Sequence, residues 1–402
     1  MFLGGLKAKK KSSLPYTLPE ALRGAERLAL VLAFGRLSVL EACSTLGSVT
    51  KVEVPCERIC VVELDPSSLR SVTKLAGIHK FSPLLTRFHG DEVVIGQLVE
   101  QIANEIDVSR FALSAYDTDE ADYEVLVRLL LDAFRQAGFK KIRLLRPKGN
   151  ELLADQVLSR DALDLIAFPY KGGYGLGPTA WVPDVATMRK RGVEKPAPHS
   201  EISLSPRLAQ LLLNLSGLSP GQRLLDPFCG SGTIISEGAL MSLNCVGIDS
   251  NPTRVAQAKR NLAWVEKQSE SGRTLAYDIR IGDARNFEGR FDGIVTEPIL
   301  LPRFHSTPSS QKAKHLVNKA SRVYSESLYP MAEAVRKGGR VVIVVPTLRT
   351  ADGSEVLLRL EGTESIGLKE FQPGRLRFEY PVRVAFESTR WLGRAVYVFE
   401  RV

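Results

Sequence analysis

One Gly-rich turn, three acidic residues and an acid–proline step carry the chemistry open to this sequence. The stretch LLDPFCGSGTIISEGALM, residues 224–241, runs from an apolar strand through an Asp-Pro-Phe-Cys-Gly-Ser-Gly turn into a helical pattern. Glycines in such a turn let the backbone approach a ligand closely. The next predicted strand, in NCVGIDSNP, ends at Asp249, where an acid can hold ribose hydroxyls. Asp283, in IGDAR, follows a further strand and can accept from an adenine amino group, with the Ala284 N–H reaching the ring. Helix capping alone would explain Asp226 or Asp283 singly. Three acids after three successive strands point instead to a nucleoside-cofactor site.

The first turn narrows the choice of nucleoside. A nicotinamide enzyme normally shows G-x-G-x-x-G there, whereas this turn is led by an acid, Asp226. A carboxylate repels a pyrophosphate but suits S-adenosyl-L-methionine, which has no phosphate and carries ammonium and sulfonium cations. The candidate cofactor set is Asp226, Phe228, Gly230, Gly232, Thr233, Asp249, Ser250, Asp283 and Ala284. Cys229 lies inside the turn and reads as packing, since an amine acceptor needs no covalent activation.

The strand after Asp283 ends Thr296-Glu297-Pro298-Ile299-Leu300. Enzymes that methylate exocyclic amines carry Asp/Asn-Pro-Pro-aromatic at this place. An aromatic amine's lone pair is delocalised into its ring. A side-chain oxygen and a proline carbonyl accept the two amine hydrogens, and an aromatic ring stacks on the base. The acid and first proline are present, so Glu297 and Pro298 are the candidate catalytic residues. The second proline and the aromatic are missing, and Glu is one methylene longer than Asp. Two readings stay open: Glu297 orients the amine, with Phe304 or Phe228 stacking, or the domain keeps its fold without the chemistry.

The elements that must position these residues follow from pattern. At 402 residues the chain has room for two or three domains. From about residue 201, helix 205–217, strand 222–226, helix 232–243, strand 244–249, helix 252–264, strands 276–281 and 291–296, helix 323–337 and strand 339–345 alternate. Such alternation implies a parallel, doubly wound sheet. Segments 377–386 and 394–402 read as an antiparallel hairpin at its edge. Upstream, strands at 27–34 and 58–64 flank a helix at 37–47. Strand 110–116, helix 122–139 and strands 140–147 and 164–170 form a second α/β unit, with a Gly-rich turn at 172–184. Residues 185–200 read as an exposed connector, and residues 1–24 as a flexible lead-in.

The residues resemble the THUMP-domain tRNA guanine-N2 methyltransferases, chiefly the type acting at tRNA position ten. The blocks that carry the likeness are SEISLSPRLAQLLLNLSG (200–217), LLDPFCGSGTIISEGAL, GIDSNPTRVAQAKRNL (247–262) and the approach TAWVPDVATMRKRGVEKP (179–196). QVLSRDALDLIAF with GGYGLGPTAW is similar to the end of a THUMP domain. The resemblance spans about residues 25–300 and implies an α/β protein: a ferredoxin-like unit (25–90), a THUMP-like RNA-binding unit (91–184), a linker (185–200) and a Rossmann-like class I methyltransferase domain (201–402). It implies tRNA as partner, with THUMP gripping the acceptor end. It also implies cofactor roles for Asp226, Asp249 and Asp283. The family's motif is D-P-P-Y, and this chain departs from it. The alternatives are a non-catalytic tRNA-binding protein of the same fold and, least favoured, a DNA amino-methyltransferase. The need for a small activating partner stays open.

Composition frames these readings. Net charge is +9 with a sequence pI near 9.3, spread over both halves, which suits an anionic partner. Five scattered cysteines fit a reducing, cytoplasmic setting, and no spacing of Cys or His suggests a metal. No apolar run is long enough for a membrane span, and the start MFLGGLKAKKKSS lacks a signal-peptide core. Arg189, Lys190 and Arg191 are candidate phosphate contacts or a solvated linker face. The basic stretch 301–322 reads as a long loop, with Arg303, Lys312 and Lys314 as candidate RNA contacts. His199, His305 and His315 are not read as metal ligands.

Overall fold

The computed structural model describes residues 26–47, 49–89, 92–103, 109–159, 162–197, 204–269, 274–298, 306–374, 376–384 and 391–402. The lead-in 1–24, Arg303, Phe304, His199 and His305 lie outside the described residues. The chain divides into two compact units.

The first unit takes residues up to 33, 48–74 and 78–185. Strand β1 (Arg27–Leu32) leads into helix α1 (Arg36–Thr45), which belongs to the second unit. Back in the first unit, β2 (Val49–Cys56), β3 (Ile59–Leu64), α2 (Leu69–Val72) and β4 (Ile78–Pro83) follow. They build a four-stranded antiparallel sheet of order β2-β3-β1-β4. Next come β5 (Thr86–Phe88), α3 (Glu92–Ala103), β6 (Arg110–Ala115), α4 (Glu120–Gln136), β7 (Arg143–Leu144), α5 (Ala154–Ser159), β8 (Leu163–Tyr170) and β9 (Gly173–Pro178). Their sheet has the order β5-β9-β8-β6-β7. Helix α4 starts where the Asp119 carboxylate accepts from the Asp122 N–H, and its apolar stripe packs with Phe111, Leu113 and Leu165. Both sheets share one compact unit, although the sequence reading divides them at residue 90.

The second unit contains 34–47, 75–77 and everything from Ala186 onward. It holds α6 (Val185–Val193), α7 (Pro206–Ser216), β10 (Arg223–Asp226), α8 (Thr233–Leu240), β11 (Asn244–Asp249), α9 (Pro252–Gln268), β12 (Tyr277–Ile281), β13 (Phe291–Thr296), α10 (Ser310–Ala334), β14 (Val335–Arg349), β15 (Glu355–Leu357), β16 (Leu368–Glu370), β17 (Val382–Val384) and β18 (Leu392–Arg401). The sheet order is β12-β11-β10-β13-β14-β18-β16. The first five strands run parallel, and β18 runs antiparallel to β14. The order reverses between β10 and β13. Ligands of such sheets bind beyond the carboxyl ends of the strands at that switch point.

Local signals set the helices. Ser205 caps α7, Pro206 occupies its first turn and Gly217 closes it in the left-handed region. The Asn251 side chain accepts from the Thr253 and Arg254 N–H groups at the start of α9, with Pro252 behind it.

Three expectations change. Residues 310–322, read as loop, are the first half of α10. Ser309 caps it, and Ala313, Val317, Ala320 and Tyr324 bury a helical stripe that the intervening lysines hide from a simple reading. The connector 185–200 contains α6, and Lys195 and Ala197 beyond it are buried. The last strand is not an edge: β18 lies between β14 and the short β16 and β17. The unbroken apolar runs VVIVV and AVYVF in β14 and β18 are what two buried faces demand.

Candidate active site

Asp226 ends β10 with its side chain sealed from solvent, at 1% exposure. Its Oδ1 accepts from the Phe228 N–H at 3.1 Å and from the Thr296 hydroxyl at 2.7 Å. The Thr296 bond ties the first turn to the end of β13. Burial pushes the Asp226 carboxyl up to about 7; the Thr296 and Phe228 bonds pull the other way, and the charges of Asp249 and Glu297 add to the rise. These acids thus share one electrostatic neighbourhood.

The turn closes on itself through Asp249, whose Oδ2 accepts from the Gly230 N–H at 2.9 Å and whose Oδ1 accepts from Asn251 N–H at 2.9 Å. Gly230 and Gly232 sit at φ of 53° and 86°, backbone that glycine adopts freely. A Cβ at Gly232 would also meet the Ala258 Cβ at 3.1 Å, so the turn lies flush on α9. Gly232 precedes α8 and offers no side-chain cap, and the first turn of α8 has no acid. Thr233 and Phe228 are half-buried beside the turn, and Ser250 is exposed. Cys229 is buried, and burial raises its thiol pKa well above the ordinary value, which fits packing and not a nucleophile.

Asp283 follows β12 and is half-exposed, with Ala284 buried behind it. The Arg285 guanidinium grips both of its oxygens, at 2.9 Å from Nε to Oδ1 and 2.6 Å from the terminal nitrogen to Oδ2. Those bonds, with the Arg285 N–H, hold its carboxyl down at about 2. Asp283 is thus a fixed anion with part of its acceptor capacity already used by Arg285.

Glu297 stands immediately beyond β13, at the switch point, with its side chain 10% exposed. The Nε of Arg394 donates to Glu297 Oε1 at 2.5 Å. Arg394 comes from β18, where it pairs in register with Pro346 and Val384. Burial raises the Glu297 carboxyl, while the Arg394 charge and hydrogen bond lower it. Sequence reasoning missed Arg394; its trace is a lone cation opening the apolar run AVYVF.

A second charged group involves α8. The Arg191 guanidinium donates to both oxygens of buried Glu237 at 2.7 Å each, and Gln210 adds a bond of 3.0 Å to Oε2. Arg191 is thus paired with Glu237 of α8. Arg189 and Lys190 share α6 with it. Lys312 and Lys314 lie on α10 and not in a loop, and Lys314 is exposed. Among the described residues no group of three or more His, Cys, Asp or Glu side chains could hold a metal ion. No helix among them is long and apolar enough to cross a membrane.

The acids brought to adjacent strand ends, the glycines on α9 and the absence of a basic residue in the turn 226–232 itself fit S-adenosylmethionine. The class is that of the S-adenosylmethionine-dependent methyltransferase domains. Residues 191–354 match the family model described as UPF0020: RMKL-like, methyltransferase domain. The tRNA (guanine(10)-N2)-dimethyltransferase of Methanothermobacter thermautotrophicus is 32% identical over 145 residues, 36% of this chain and 39% of that protein. The probable tRNA (guanine(10)-N2)-dimethyltransferase of Methanothermococcus thermolithotrophicus is 32% identical over 136 residues, 33% of this chain and 81% of that protein. The chain belongs to the family these relatives represent, though it matches well under half the length of the first. The crystal structure of TrmN from Thermus thermophilus shares the fold, with a TM-score of 0.52 at 19% identity, covering 94% of this chain and 99% of that one.

Proposed function

We propose that this protein transfers a methyl group from S-adenosylmethionine to the exocyclic N2 amine of a guanosine in tRNA. The observation that carries the reading is Glu297-Pro298 at the end of β13, joined to the cofactor turn through the Thr296–Asp226 hydrogen bond. The family relatives supply the substrate class.

S-adenosylmethionine, when bound, supplies an electrophilic methyl group. Asp226, Asp249 and Asp283 would hold the cationic and hydroxyl-bearing parts of the nucleoside, and Ala284 would offer its N–H to the ring. Glu297 Oε2 accepts one amine hydrogen, and the Pro298 carbonyl accepts the other. That directs the amine lone pair out of the ring plane toward the methyl group. Arg394 keeps the Glu297 side chain in one rotamer, so positioning is the larger part of the catalytic contribution. Glu297 must be ionised to accept, so activity falls as pH falls through its raised pKa.

Residues 25–90 and 91–184 are proposed as the ferredoxin-like and THUMP-like parts that hold the tRNA, in a protein working in the cytoplasm. The net charge of +9 supports an anionic partner. A small activating subunit is a further proposal, read out by adding cell extract to the assay below.

The test is methyl transfer from labelled S-adenosylmethionine to unmodified tRNA transcripts, with nucleoside mass spectrometry. N2-methylated guanosine that disappears in Glu297→Ala is the expected result. No product from wild-type protein that binds both cofactor and tRNA would make it a binding protein of this fold.

A further inference from the structure

The first half of α10 is basic on its outer face. Ala313, Val317, Ala320 and Tyr324 bury one side of the helix. Opposite them Lys312, His315, Lys319 and Arg322 recur at three- and four-residue spacing, all exposed, and exposed Lys314 flanks them. Three- and four-residue steps keep side chains on one helix face. Between Ser310 and Ser325 the helix carries no Asp or Glu, and exposed Gln311 and Asn318 are the polar neighbours of the cations. The first acid, Glu326, is held by Arg322 and Arg285 and marks the end of the basic face. Among the described residues no carboxylate pairs Lys314 or Lys319.

Helix stability does not explain this pattern. The first turn of α10 has no acid, although a helix dipole favours acids there and disfavours cations. Glutamate would suit these exposed positions as well as lysine does by helix propensity. The place of the helix supplies a reason. The Ala351 N–H donates to the Pro308 carbonyl at 2.9 Å and the Ser310 hydroxyl to Asp352 at 2.7 Å, both just past the end of β14. Helix α10 therefore starts at the carboxyl end of the parallel strands, where Glu297 stands, and runs back along the sheet to Val335. From Lys312 to Arg322 the face is about 15 Å long at ~1.5 Å per residue. Lysine and arginine neutralise phosphates, and amide side chains bond phosphate and ribose oxygens. We propose that this face of α10 is the surface of the methyltransferase domain on which the phosphate backbone of the substrate RNA lies. The proposal rests on the tRNA methyltransferase reading above.

The experiment compares two double variants of the full chain that change net charge equally. Lys314→Gln with Lys319→Gln alters the α10 face without breaking an ion pair. Lys259→Gln with Lys267→Gln alters exposed lysines of α9 in the same unit and serves as the control. Glutamine keeps the helix propensity of lysine, and thermal unfolding checks that each variant folds. Binding of an unmodified tRNA transcript is measured across a salt series, together with methyl-transfer kinetics. The α10 variant is expected to raise the tRNA Kd and KM about tenfold with kcat unchanged. The slope of log affinity against log salt should be shallower by about 1.5, the loss of two phosphate contacts. The α9 variant should follow wild type. Equal losses in both variants would reduce the effect to net charge and overturn the surface. Unchanged tRNA binding in the α10 variant would also overturn it and leave the face to an acidic protein partner. A fall in kcat with KM unchanged would overturn it as well. Wild-type protein that binds tRNA with the expected α10 loss but forms no N2-methylguanosine would overturn the catalytic reading and leave the surface standing. Wild-type protein that binds no tRNA would overturn both.

Discussion

Arg394 and Glu297 lie 97 residues apart in the chain, yet the arginine Nε donates to the glutamate Oε1 at 2.5 Å, with both side chains largely buried. The longer acid thus meets a cation reaching in from the antiparallel strand β18. Arg394→Met leaves Glu297 without its charge partner. Methyl transfer should fall about 10- to 100-fold, the effect of losing ~1.5–3 kcal/mol of charge-assisted hydrogen bonding. Burial raises the Glu297 pKa and Arg394 restrains that rise, so the acid limb of the pH–rate profile should move to higher pH in the variant. Wild-type and variant profiles with an unmoved acid limb would refute the coupling. Cofactor affinity should not change.

Asp226, the proposed cofactor ligand, also bears on stability. Its carboxyl is raised from 3.8 to about 7 by burial, so the folded state holds a proton that the unfolded state releases. Its contribution to stability is present below about pH 4 and is lost as pH rises through about 7. Asp226→Asn removes that penalty. The variant should melt higher than wild type at pH 8 and equal to it at pH 4, while losing S-adenosylmethionine binding. Paired thermal melts and calorimetry at the two pH values check both halves.

Gly232 and Gly221 share a φ of 86°, but only Gly232 has a close neighbour for an added Cβ, at Ala258. Gly221→Ala should cost about 1 kcal/mol, the left-handed penalty alone. Gly232→Ala should cost about 2–3 kcal/mol, because Ala258 and α9 must shift as well. Urea unfolding of the two variants side by side separates conformation from packing.

Glu41 on α1 is fully buried and accepts from the Ala76 N–H at 2.9 Å, the Gly77 N–H at 2.7 Å and the Asn214 amide at 2.7 Å. Burial outweighs these donors and raises its pKa to about 7. Glu41→Leu removes the acceptor of three donors, two of them backbone N–H groups, and should cost about 2–4 kcal/mol. Wild-type stability from this group is present below about pH 4.5 and declines as pH rises through about 7. Denaturant midpoints at pH 5 and pH 8 for wild type and variant measure both effects.

Much of the candidate site was legible in order along the chain. Asp226, Gly230, Gly232 and Asp249 lie within one strand–turn–helix–strand unit, where spacing and turn chemistry are local properties. The caps Ser205 and Asn251 and the glycine stop at Gly217 were equally local, and they delimit α7 and α9. Helix α10 was half hidden, because Lys312, Lys314 and Lys319 dilute a stripe whose burial depends on the sheet beneath it.

The sequence by itself determined the alternating α/β order, the acidic Gly-rich turn and the acid–proline step, because each is written in neighbouring residues. Only the tertiary structure decided their partners: Arg394 for Glu297, Thr296 for Asp226, Arg191 for Glu237 and Thr233 for Lys195. Those pairings join residues 38 to 97 positions apart. Charge complementarity acts through space, and only the folded sheet brings such residues within hydrogen-bonding distance.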